Sequence, residues 1–173
     1  MKKYLAAALP LLLSCAANQD VTFSYSGIFK VSLPANTLPG GTVFYSDELS
    51  LKMSDGALIS GKVVSTESEG LPPSFDIRQY PEYVLGIKTP DATISEASTL
   101  FTNSLAEIGH SYSLESLRII QDSEITRYSL CKERSCLTFI VKKSFDAHIL
   151  SINAMGYSQT EFDKLIKGTV HVN

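Results

Sequence analysis

Four residues of this chain combine reactive side chains with close spacing. Cys131 and Cys136 flank Lys132-Glu133-Arg134-Ser135, and Asp146 precedes His148 by two. In an oxidising compartment, two cysteines around so short a loop form a disulfide. The rival is a redox or metal pair. The C-x4-C spacing is not the C-x-x-C of redox motifs, and no further Cys or clustered His completes a zinc site. On a strand, Asp146 and His148 share a face, where the carboxylate orients the imidazole for hydrolase-like chemistry. No nucleophile is marked beside them. A His alternating with Leu150 and Ile152 is more often a hydrogen-bonded core or edge residue. His110 sits at a helix C-terminus, where its cation suits the dipole. The sequence has no G-x-S-x-G, H-E-x-x-H, phosphate-binding glycine loop or EF-hand loop, and no cofactor is implied.

The third cysteine, Cys15, closes a different pattern. Lys2 and Lys3 form a positive start, and Leu5 to Leu13 form a nine-residue apolar stretch. That length suits an export signal and is too short for a membrane span. Pro10 and the lack of a polar face argue against a buried helix. Leu12-Leu13-Ser14-Cys15 resembles the lipobox of bacterial lipoprotein precursors. The resemblance implies a signal peptide over residues 1–14, cleavage before Cys15, a diacylglyceryl thioether on Cys15 and acylation, as by palmitate, of its new amino group. Because Ala16 rather than Asp follows, it also implies delivery to the outer membrane, facing the periplasm. The alternative is ordinary cleavage after Ala16, which satisfies a small-x-small rule and releases a soluble periplasmic protein.

The expected partners are therefore the lipid bilayer, through acylated Cys15, and an envelope protein. Nucleic acid is not among them, because the 173 residues carry a net charge of −3 with pI ≈ 5.6. Losing Lys2 and Lys3 leaves 13 basic residues against 18 acidic, a net of −5. Residues 15–20 make a tether of about 20 Å at most, which holds the domain close to the membrane. An apolar fraction of 44% excludes a disordered chain. No glycine period or heptad run is present. The length suits one domain, over residues 21–173.

The elements that position these residues follow from periodicity. Val21 to Leu33 reads as one or two strands broken near Gly27, and Thr42 to Ser46 as another. Leu49–Met53 and Ala57–Thr66 read as a hairpin. A three-residue loop with Gly56 in the left-handed conformation pairs Leu51 with Ile59 and Leu49 with Gly61, setting apolar against apolar. Thr93-Ile94-Ser95-Glu96 fits a capping box opening a helix that Gly109 ends. Residues 117–154 read as four antiparallel strands. Placing Cys131 opposite Cys136 pairs Leu130 with Leu137, Tyr128 with Phe139 and Thr126 with Val141 as a core face. The cysteines then fall on the opposite, solvent-facing side. Ser158 to Glu161 fits a second capping box, whose helix Gly168 stops, and Val170–Val172 reads as an edge strand.

This order is α+β: an antiparallel sheet of hairpins and a meander, with two helices packed against it. Its ending resembles the PsbP-like α/β/α sandwich, a likeness of fold that implies no function. Residues 67–92 break the pattern with four prolines and a short strand over 83–87. Long irregular loops often bind, and Phe75, Arg78, Tyr80 and Tyr83 are interface-type residues, hence candidates for partner binding. The competing reading tucks the aromatics over one end of the sheet. The basic residues Lys132, Arg134, Lys142 and Lys143 read as solvated tips or as contacts to anionic headgroups. The sequence thus points to a non-enzymatic, membrane-tethered binding or accessory module, with a periplasmic enzyme using Asp146 and His148 as the alternative.

Overall fold

Alternating strands with tight turns build the larger part of the molecule. The computed structural model describes residues 20–25, 27–33, 41–45 and 48–172. The signal segment, the lipobox and Cys15 lie outside the described residues. Strands β1 (Val21–Tyr25) and β2 (Phe29–Leu33) form a hairpin across Gly27. Then come β3 (Thr42–Tyr45), β4 (Leu49–Lys52) and β5 (Leu58–Val64). Helices α1 (Tyr80–Val84) and α2 (Ser98–Ser111) follow. The chain continues through β6 (Arg118–Gln121), β7 (Ile125–Lys132), β8 (Ser135–Lys142) and β9 (Ile149–Met155). Helix α3 (Gln159–Thr169) and β10 (Val170–Val172) close it. The fold is α+β.

Two sheets form. Seven antiparallel strands run in the order β3-β4-β5-β9-β8-β7-β6, and β10 joins the first hairpin as β1-β2-β10. Each half of the large sheet is a meander, and the β5–β9 pair joins the halves. Between β5 and β6 the chain leaves the sheet and lays α1 and α2 across one face.

Both expected hairpin registers are present. Leu51 opposes Ile59 and Leu49 opposes Gly61. Gly56 takes φ +86, and the Asp55 carboxylate accepts a hydrogen bond from Ala57 N–H at 2.9 Å. In the second hairpin Cys131 opposes Cys136, Leu130 opposes Leu137 and Tyr128 opposes Phe139.

The expected solvent face of that hairpin is not wet. Cys131 and Cys136 form a disulfide and are buried. They pack with Ile125, Ile140, Leu150 and Ile152 under Phe29, Val31 and Leu33 of the small sheet and Phe162 and Ile166 of α3. Alternation sets which residues share a face, and here a second layer covers the face that looked polar. Its Ser129 and Thr138 hydroxyls hydrogen-bond each other at 2.8 Å, which answers the cost of burying them. The opposite face carries Tyr128, Leu130, Leu137, Phe139, Val141 and Ile149 beneath α1 and α2. Gly61 admits the small sheet: a Cβ there would lie 2.8 Å from the Tyr25 ring.

Three further expectations change. Residues 83–87 are not a strand, because α1 covers Tyr80–Val84 with a proline in its first turn, where the fixed φ suits a helix start. It makes a third helix on the sheet. The capping box at Thr93 does not open α2. Residues 92–97 form a 3-10 segment kinked at Ile94 (φ −126, ψ 23), and the helix begins at Ser98 with no side-chain cap. Neither Gly109 nor Gly168 stops its helix: α2 runs to Ser111 and α3 to Thr169. At α3 the capping box does form, with Glu161 accepting from Ser158 N–H at 2.8 Å.

Candidate functional site

Among the described residues, edge strand β6 pairs with β7 alone. Its residues are all exposed, including Ile119 at 52% and Ile120 at 45%. Successive strand residues point to opposite faces, so the two isoleucines border two different clefts.

The cleft on the helix side has a volume of about 490 Å³. Ile119 forms one wall, Tyr128 and Val141 the floor, and Glu82 of α1 with Lys88 the far wall. Tyr128 Oη donates to Glu82 Oε1 at 3.1 Å, and Lys88 pairs with the other oxygen of that carboxylate. Burial, reinforced by the Glu82 charge, pushes the Tyr128 phenol up to about 12, so it stays a proton donor at neutral pH. Arg78 closes one end. Its Nε and Nη2 each donate to Asp76 at 2.8 Å, and Nη1 donates to the Lys143 carbonyl at 2.8 Å. The Arg78 hydrogen bonds hold the Asp76 carboxyl below its usual range.

The cleft on the opposite face, about 450 Å³, lies between β6–β7 and α3. Ile120 and Ile166 supply its apolar walls. Arg127 donates to Asp122 at 3.0 Å and Arg118 to Asp163 at 2.8 Å. Arg127 Nε and Asp163 Oδ1 are buried with no hydrogen-bond partner among the described residues. Lys164 and Lys167 stand exposed at the rim.

Of the four loop residues proposed for partner binding, Arg78 lines the cleft beside β6, and the three aromatics are buried. Phe75, Tyr80 and Tyr83 are between 6 and 9% exposed. They surround Phe101, with Tyr83 stacked on it at 4.9 Å and Phe75 tilted at 5.6 Å. Tyr80 meets Phe139 of the sheet edge-on at 6.0 Å and donates to Glu69 at 2.9 Å. Of the two readings of this loop, the one that tucks the aromatics over the sheet holds, and Phe75, Tyr80 and Tyr83 are core rather than an open binding surface. Large rings in an irregular segment gain most by covering apolar sheet.

Asp146 and His148 do not share a strand face, because β9 starts only at Ile149. The His148 ring stacks on Phe145 at 5.7 Å, and its Nδ1 is buried without a hydrogen-bond partner among the described residues. Asp146 therefore does not hold that nitrogen. No group of three or more His, Cys, Asp or Glu able to hold a metal occurs among the described residues.

No protein-family model matches the chain, and no curated protein matches it. A solved structure is similar to it. This is the Saccharomyces cerevisiae Ran-binding protein Mog1p, at 13% identity and a TM-score of 0.41, over 90% of this chain and 96% of that one.

The cleft walls were missed in the sequence, save for Arg78 and Lys143. One signal was available: Arg118-Ile119-Ile120-Gln121 sets two adjacent isoleucines in a short strand, so one must face each side of the sheet. Glu82, Lys88, Asp163 and Lys167 carried no such signal, since only the packing of α1 and α3 brings them to that edge.

Proposed function

We propose that this is a lipid-anchored protein of the bacterial cell envelope, held at the outer membrane on its periplasmic side, that works as a non-enzymatic binding or accessory module. The observation that carries the binding half is the open strand β6 between two clefts. The charged groups of their walls are engaged with one another: Glu82 holds Tyr128 and Lys88, and Asp122 holds Arg127. Paired, fixed charges suit recognition, because they present an oriented field without needing to change protonation. The lipobox-like Leu12-Leu13-Ser14-Cys15 supports the anchoring half. Three acyl chains hold a protein in a bilayer far more firmly than the marginal binding of one.

Labelling growing cells with radioactive palmitate tests the anchor. The wild-type chain takes up label and sediments with membranes, and Cys15→Ser does neither. A mature wild-type protein with an unmodified N-terminus at Ala17 overturns it.

A further inference from the structure

We infer that β6 is a docking edge for an extended segment of a partner protein in which acidic residues alternate with apolar ones. This deepens the reading of the protein as a binding module and rests on it. A sheet edge offers unpaired backbone N–H and C=O groups, so it can accept another strand. Strand β6 ends the large sheet, with Ile119 and Ile120 exposed. A strand laid beside it would continue the sheet, and its side chains would point by turns to the two faces. Each face has a cleft at that place, one bordered by Ile119 and the other by Ile120. Apolar side chains of the incoming segment therefore meet an isoleucine wall on either side.

Charge selects the occupant. Arg78, Lys88 and Lys143 line one cleft, and Arg127, Lys164 and Lys167 the other, against Glu82, Asp122 and Asp163, with Asp76 paired to Arg78. This edge is thus net positive in a chain whose net charge is −3. A second copy would bring an edge of the same sign, and like charges along facing edges are a device against self-pairing. An acidic segment is attracted by the same charges.

The test pans a displayed library of random peptides, each about a dozen residues long, against the full-length protein in detergent micelles. Empty micelles serve as the control. Enriched peptides should be acidic with alternating apolar residues, and should slow amide exchange at residues 118–121. The charge reversal Lys164→Glu/Lys167→Glu, at exposed positions that keep the fold, should weaken their binding about tenfold or more. Three results overturn the inference: no enrichment over empty micelles, enriched peptides that are not acidic or that protect another surface, and a concentration-dependent dimer protecting β6. The wild-type chain separates this inference from the anchoring reading. In it, peptide binding without palmitate labelling defeats the anchor alone, and labelling without peptide binding defeats the docking edge alone.

Discussion

The two faces of the large sheet are covered in different ways. On the helix side, large rings and aliphatic chains meet an irregular segment, and four aromatic residues pack around one another. On the other side lie the disulfide and the Ser129–Thr138 pair, under a second sheet and α3. The first face is built from side chains that gain simply by leaving water. The second also buries large apolar chains, but sets among them a disulfide and two hydroxyls that hydrogen-bond each other. A strand pattern with one apolar and one mixed face thus describes a sheet dry on both sides as well as one dry on one side.

The largest effect that would break this comparison lies at Phe101. Phe101→Ala removes the ring that Phe75, Tyr80 and Tyr83 share, and should cost about 3–5 kcal/mol in urea unfolding. A cost under about 1 kcal/mol would place those aromatics outside the core.

The disulfide tests the second face. Replacing both cysteines with Ala removes a short-loop cross-link and should cost about 2–3 kcal/mol. Replacing both with Ser should cost a further 1–2 kcal/mol or so, because two hydroxyls then lie in an apolar layer. Equal melting temperatures for the Ala and Ser proteins would put the cysteines back on a wet face.

The Ser129–Thr138 pair sharpens the point. Thr138→Val alone leaves the Ser129 hydroxyl unpaired and should cost about 1–2 kcal/mol. Ser129→Ala in the same chain should recover much of that. Simple additivity of the two would show that water reaches the pair.

The smallest effect is acid sensitivity at the helix-side cleft. Arg78 holds the Asp76 carboxyl below its ordinary value of 3.8. That stabilisation is fully present above the unfolded carboxyl's value and is lost as pH falls through the lower folded one. Asp76→Asn should therefore lower the melting temperature slightly at pH 7 and narrow its gap to wild type in acid. A gap that widens on acidification contradicts the pairing.

Much of the fold was legible from local rules. Gly56 announced the first hairpin's loop, apolar pairing gave its register, and the Cys131–Cys136 pair gave the second's, because a slip by one residue would reverse every side chain. The box at Ser158 also read correctly, since its hydrogen bonds lie within one turn. What could not be read needed distant chain. Nothing near Cys131 shows that Phe162 and Phe29 will cover it. Nothing in Phe75-Asp76-Ile77-Arg78 shows that the rings turn inward and the guanidinium outward. Pro81 in fact favours the helix that a strand reading of Tyr83 overlooked. The clefts were least legible, being gaps between β6 and helices from both sides of it in sequence.

The central claim is that the large sheet is sealed on both faces and open at β6. Amide hydrogen exchange of the unliganded protein tests it most directly. Amides of β8 and β9, which have strands on both sides, should exchange slowest, near the rate of global unfolding, and the outer amides of β6 orders of magnitude faster. Amides of β6 as slow as those of β8, with nothing added, would mean that the edge is already covered, and would contradict the account.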